Sequence, residues 1–184
     1  MPSRVTRRAT AVVLAASAVL VGCDRADSPE PPPSAGPTPA SATPSAEATT
    51  AAEAERAAVD AAYRRFWAVS WDVDKQDPAR WRPVLASVSV DPVLTRLYAG
   101  TKAQQQGGIR LYGEVVPRPT VGRIAGGRAE VRDCQDASGA GQADARTGAR
   151  KTVGVARTPV AASLVRGSDG VWRVSEVRYP GGRC

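Results

Sequence analysis

The chain of 184 residues contains no histidine, no asparagine, one phenylalanine and two isoleucines. Without histidine, Ser-His-Asp and Cys-His activation of a nucleophile are excluded, as is every His-ligated metal site. Long hydrophobic runs are missing too. The longest, from Ala9 to Gly22, falls short of the roughly 20 residues that a membrane-spanning helix needs. Lysine is scarce, with arginine outnumbering it 22 to 3. The formal charge is +7, but Arg4, Arg7 and Arg8 stand in the first 22 residues with no acid among them. From Cys23 onward 22 basic residues face 18 acidic ones. That excess is small for a nucleic-acid binder, which gathers more positive charge on one face, so no nucleic-acid partner is expected. The length suits one domain with accessory segments, because a second core would need roughly another 100 residues.

What is present at the start is an address. A basic opening followed by a short apolar run has the layout of a secretory signal. It ends in Leu20-Val21-Gly22-Cys23, which resembles the lipobox of bacterial lipoproteins. The resemblance implies a lipoprotein signal peptide over residues 1–22, cleavage after Gly22, and lipidation of Cys23 with palmitate-type acyl chains. Two such chains hold a protein stably to a membrane where one does so only marginally. The expected location is therefore extracytoplasmic, on the cell membrane. An ordinary signal with an incidental cysteine is the other reading. The Arg7-Arg8 pair also suggests a twin-arginine signal, although Ala9, Thr10 and Ala11 lack its bulky apolar residues.

Residues 23–52 read as a lipidated N-terminus and linker. From Asp24 to Ala52 the chain holds seven of the fifteen prolines and no valine, leucine, isoleucine or aromatic residue. Such a segment cannot bury a core. It reads as an extended spacer with a reach of roughly 90 Å at about 3.1 Å per residue. The arginine bias and lack of asparagine suggest a GC-rich genome of the actinobacterial kind.

The globular domain is expected over residues 53–184. With Cys23 assigned to lipid, Cys134 and Cys184 remain as a pair, and an exported protein permits a structural disulfide between them. From Glu53 to about Trp71, Val59, Ala62, Tyr63, Phe66, Trp67, Val69 and Trp71 cover roughly 200° of a helix, wider than the ~100° that one contact requires. Asp77-Pro78 and Asp91-Pro92 read as helix openings, and Gly107-Gly108 as a stop. Four strand candidates follow: Ile109 to Val115, a strand through Ala129 and Val131 after the Ala125-Gly126-Gly127 turn, and the two strands of a hairpin, Val160 to Val165 and Val171 to Tyr179, turning at Gly167 to Gly170. In the returning strand the apolar parity changes between Trp172, Val174 and Val177, Tyr179, which predicts a bulge near Ser175. Cys134 shares parity with Arg128, Glu130 and Arg132 and is expected on the outer face. Residues 135–151 have no large aliphatic or aromatic side chain and read as a long loop. Arg146, Arg150 and Lys151 within it are suited to an anionic wall polymer or lipid headgroup.

The expected fold class is α+β, with three N-terminal helices packed on a strongly bent antiparallel sheet. Ala61-Ala62-Tyr63-Arg64-Arg65-Phe66-Trp67 and Asp169-Gly170-Val171-Trp172-Arg173-Val174 resemble recurrent stretches of the nuclear transport factor two-like superfamily. The resemblance implies a cone of helices against a curved sheet over roughly residues 53–180. Isomerases and cyclases belong to that superfamily, but none of their catalytic residues maps onto a position here.

Asp72, Asp74 and Asp77 are the nearest approach to a metal cluster. A calcium loop starting at Asp72 would need glycine where Asp77 stands and glutamate where Pro83 stands, so no metal is expected. Gly139-Ala140-Gly141 lacks the third glycine and the strand-turn-helix context of a phosphate loop, and no cofactor is expected. Asp60, Tyr63 and Tyr112 are of types that serve as acids or bases, yet the carboxylates generally fall at caps, in polar loops or between apolar residues. There their pKa values should stay ordinary. The aromatic set Tyr63, Trp67, Trp71, Trp81 and Tyr98 is the candidate ligand or partner surface. The expected function is binding, without catalysis, of a small apolar ligand or an envelope protein. An accessory subunit of an envelope assembly, a homodimer, and an isomerase or cyclase-like enzyme are the alternatives.

Overall fold

The computed structural model describes residues 46–184. The signal, lipid site and most of the linker, residues 1–45, lie outside the described residues. Helix α1 spans Ala46–Asp72, a 3-10 turn Val73–Lys75, helix α2 Pro78–Ala86 and helix α3 Val93–Gln106. Strands β1 Ile109–Tyr112, β2 Pro119–Ala125, β3 Arg128–Gln135, β4 Gly141–Asp144, β5 Thr158–Arg166 and β6 Trp172–Arg178 follow. The class is α+β, three helices followed by antiparallel sheets. Helix α1 begins seven residues before the expected boundary at Glu53. Alanine and glutamate, the best helix formers, extend it into a stretch that contributes nothing to the core.

The helix openings follow local chemistry. Asp77 Oδ1 accepts the Ala79 N–H at 2.8 Å, with Pro78 in the first helical position. Asp91 Oδ1 accepts from the Thr95 N–H at 3.2 Å and its hydroxyl at 2.6 Å, while Pro92 itself occupies the cap. The Gly107 N–H closes α3 on the Ala103 carbonyl at 2.9 Å.

One sheet was expected, and two are found: a four-stranded sheet ordered β2-β3-β5-β6 and a two-stranded arm, β1-β4. β1 leaves the main sheet because it ends at Tyr112, after which Gly113 turns with φ of +71°. A Cβ on Gly113 would collide with the Gly139 carbonyl, so glycine is required sterically as well as conformationally. The supposed loop 135–151 is corrected in part, since its residues 141–144 pair with β1. Its small side chains conceal a strand whose Ala143, like the neighbouring Ala140, is buried, Ala140 as part of the main hydrophobic cluster.

In the main sheet Ser163 pairs with Glu176 and Leu164 with Val174, which leaves Ser175 as the extra residue of a bulge. That insertion reconciles the two apolar parities of β6. A second irregularity lies between Val121 and Ile124 of β2. Both edges of the sheet are covered. Arg56 Nη1 of α1 donates to the carbonyls of Val121 and Gly122 at 3.0 and 3.2 Å. On the other side, the Val90 N–H donates to Val174 O at 3.0 Å and the Val174 N–H to Val88 O at 2.9 Å. Covered edges cannot template pairing with another chain.

Two apolar clusters result. Val59, Tyr63, Phe66 and Trp67 of α1 pack on Val131, Val160, Leu164 and Val174 of the sheet. Val73, Trp81, Leu85 and Leu94 form a smaller cluster beneath α2 and α3. Cys134 and Cys184 form the expected disulfide, with Cα atoms 5.6 Å apart. It ties the C-terminal tail to the outer side of β3, where Cys134 follows the parity of the exposed Arg128, Glu130 and Arg132. Among the described residues, no helix is long and apolar enough to cross a membrane.

Candidate functional site

The five aromatic side chains singled out from the sequence do not form one surface. Tyr63 lies in the main core and Trp81 in the smaller one, its indole Nε1 donating to Gln76 O at 3.0 Å. Tyr98 packs beside that smaller core with Arg82 and Lys102 over its ring, at 5.7 and 5.6 Å from the centroid. Only Trp67 and Trp71 share a concave site. They border a cavity of about 390 Å³ whose walls include Leu97 and Thr101 of α3, Leu111 of β1, Ala140 and Gly141 beside the arm, and Tyr179. They also border a second, larger recess of about 620 Å³ between α1 and residues 113–117, and both recesses are half open to solvent.

Local contacts explain why the cavity stays shaped. Trp71 Nε1 donates to the Tyr112 carbonyl at 3.3 Å, holding the arm against the end of α1. Asp74 Oδ2 accepts from the Leu111 N–H at 2.9 Å and reinforces the same junction, while its other oxygen is buried without a partner. The Tyr112 hydroxyl donates to Thr152 O at 2.8 Å, and the Arg150 guanidinium lies 4.7 Å from its ring centroid. At Gly141 a Cβ would strike Thr152 O and the Tyr112 ring. The wall is therefore built from backbone in close contact. Gln135 keeps a buried side-chain nitrogen with no hydrogen-bond acceptor among the described residues.

The expectation that carboxylates stay ordinary is overturned at Asp133. It shares parity with Ala129 and Val131, faces inward, and is 6% exposed. The Tyr63 hydroxyl donates to its Oδ2 at 2.9 Å and the Arg118 N–H to its Oδ1 at 2.6 Å. Burial pushes its carboxyl above the usual range, against the opposing pull of those donors and of the Arg64 charge. Burial likewise pushes the Tyr63 hydroxyl far up; the Trp67 indole opposes this and the Asp133 charge adds to it. Tyr179, 61% exposed as a residue, still has its hydroxyl raised by burial. Cys134 lies in the outward phase of β3, and Asp133 beside it lies in the inward one. Counting the opposite parity, Ala129, Val131, Asp133, would have found it.

The remaining candidates are structural. Asp60 pairs with Arg64 at 2.6 Å along α1, and Arg64 Nη1 also donates to Pro117 O at 2.9 Å. Asp72 holds Lys75, and Asp77 caps α2. Among the described residues no group of acids and cysteines could hold a metal ion. In the closing hairpin, Asp169 binds Arg173 through both oxygens at 3.0 and 2.7 Å, and Arg173 Nε donates to Ala86 O at 3.1 Å. That recurrent stretch thus docks the hairpin on the end of α2.

No family model and no curated protein matches the chain. Among solved structures it is similar to the intermembrane space region of chloroplast protein ARC6, with a TM-score of 0.51, 12% identity, and coverage of 67% of this chain and 94% of that one. It is also similar to a de novo designed β-sheet protein, with a TM-score of 0.34, 19% identity, and coverage of 68% and 91%. At 12% identity the first likeness concerns the fold alone.

Proposed function

We propose that the chain is a bacterial lipoprotein anchored through Cys23. Its domain has the nuclear transport factor two-like cone and binds a small apolar ligand without catalysis. The observation that carries the binding reading is the cavity bordered by Trp67, Trp71, Leu97 and Ala140, a mainly apolar recess with a few polar groups at its rim. The lipid anchor rests on Leu20-Val21-Gly22-Cys23, and the extracytoplasmic setting agrees with the Cys134–Cys184 disulfide.

Tryptophan fluorescence tests the site, because Trp67 and Trp71 report directly on it. Titration with a panel of aliphatic and aromatic ligands should give a saturable change. Trp71→Ala should weaken the affinity about tenfold, the scale of a buried aromatic contact, while Asp60→Asn should leave it unchanged. No saturation with any apolar ligand, or equal loss in both variants, would remove this reading. Mass spectrometry of the membrane fraction tests the anchor separately, through an acylated N-terminal Cys23.

The isomerase or cyclase alternative draws on one observation, the buried Asp133 beside Tyr63. Both carboxylate oxygens already hold donors, and Asp133 does not border the cavity. Binding is therefore the favoured reading. Turnover of an enolisable substrate that disappears in Asp133→Asn would reverse that order.

A further inference from the structure

After β4 the chain runs back along the arm as an extended segment, and it presents valine to solvent where a stable fold would ordinarily place a polar residue. Val153 and Val155 are 63% and 69% exposed, well above any other large aliphatic among the described residues. They cannot be excused as a disordered tip. The Gly154 N–H donates to Ala140 O at 2.7 Å, the Ala137 N–H to Val155 O at 3.0 Å, and the Lys151 N–H to Gln142 O at 2.8 Å. The alternation is also fixed sterically, since a Cβ on Gly154 would collide with the Ala137 carbonyl. Residue 154 must face the body of the domain, so its neighbours must face away from it. From Asp144 to Arg157 the sequence carries four cations and a single acid. Lys151 lies 3.3 Å from that acid, Asp144, while Arg146 and Arg157 are exposed beyond the two ends of the valine run, Arg157 also donating through Nη2 to the Cys184 carbonyl at 3.2 Å.

We propose that residues 146–157 dock on an anionic lipid surface, the valines entering the headgroup boundary and the flanking cations meeting lipid phosphates. Charge complementarity selects this occupant. A rigid apolar pair flanked by cations matches an interface that is apolar beneath and negative above. The proposal rests on the lipoprotein reading only for bringing the domain near a membrane.

The test is amide hydrogen exchange of the full chain carrying Cys23→Ser, with phosphatidylcholine vesicles and with vesicles in which half the lipid is phosphatidylglycerol. Exchange within 146–157 is the readout, because the apolar start of the chain would itself partition into either vesicle. Protection of this segment is expected with the anionic vesicles and not with the neutral ones. The lipid concentration for half protection should rise about fivefold in Arg146→Gln, the effect of one surface cation. Val153→Asp with Val155→Asp should abolish the protection. Val153→Ser with Val155→Ser, a milder exposed change, should weaken it with the near-ultraviolet spectrum unaltered. Protection that appears without lipid as protein concentration rises would assign the valines to a second copy and overturn the proposal. Equal protection on both vesicles, or none, would overturn it as well. Absence of acyl chains on native Cys23 would instead refute the anchor and leave the vesicle result standing.

Discussion

The four-stranded sheet under α1 and the β1-β4 arm are both antiparallel, yet they are held by different means. In the sheet, alternate residues such as Val131, Leu164 and Val174 are fully buried against Phe66 and Val59 of the helix. In the arm, Gly113 and Gly141 bring backbone against backbone, and hydrogen bonds donated by the Trp71 indole and the Tyr112 hydroxyl and accepted by Asp74 add to the contact. Apolar burial contributes roughly 25 cal/mol per Å² and tolerates modest shape changes. Close backbone approach stabilises less and tolerates almost none. The region with the weaker core borders the cavity, and local opening is drawn from such regions.

The largest effect that separates the two is expected from Phe66→Ala. Removing a fully buried ring should cost about 3–5 kcal/mol and unfold sheet and arm together in a denaturant titration. An arm that melted separately would show it to be a cooperative unit of its own. Next, Cys134→Ser opens the 50-residue link to Cys184. The chain-entropy account puts its stabilisation near 4 kcal/mol, of which about 2–4 is expected in a denaturation midpoint, with the arm's exchange pattern retained. Gly113→Ala should cost about 2 kcal/mol because of its positive φ and the Gly139 carbonyl in its way. Unlike Phe66→Ala it should raise amide exchange in β1 and β4 first. Uniform exchange would break the distinction between the regions.

The smallest expected effect depends on pH. Asp169 is held down to about 2 by the Arg173 guanidinium and the Val171 N–H, and Asp144 to about 2 by the Thr147 N–H and hydroxyl and by Lys151. A lowered carboxylate gives stability that is complete above its ordinary value of 3.8 and lost as pH falls through about 2. Asp169→Asn should therefore lower the unfolding midpoint by a few degrees at neutral pH and by nothing below about pH 2. Asp133 has the opposite sign. Its raised folded value makes its charged form unfavourable, so that cost is absent in acid and complete above its folded pKa. Thermal scans of Asp169→Asn and Asp133→Asn across acid pH should diverge in opposite directions.

Some of this was legible in the amino-acid order, where the determinants are neighbours. The cap at Asp77, the opening of α3 at Asp91-Pro92, the stop at Gly107, the turn at Gly126-Gly127 and the bulge at Ser175 each follow from residues within one turn or one strand. The outward parity of Cys134 belongs to the same class. The aromatic set was legible only as a set. Helical spacing says that Tyr63, Trp67 and Trp71 lie near one another on α1, but which of them meets sheet, arm or cavity depends on what is packed opposite.

What the sequence by itself determined is therefore the α+β order of helices before strands, together with the local turns, the Asp77 cap and the Ser175 bulge, because backbone hydrogen bonding and the periods of helix and strand act over a few residues. Tertiary structure alone decided that β1 should leave the sheet to pair with the small-residue strand β4, that the inward-facing Asp133 should meet the Tyr63 hydroxyl, and that Val153 and Val155 should stand exposed. Each depends on a partner between 17 and 70 residues away: Gly154 on Ala137, 17 positions before it, and Tyr63 on Asp133, 70 positions after it. Steric exclusion and desolvation act through space, and no local period carries their sign.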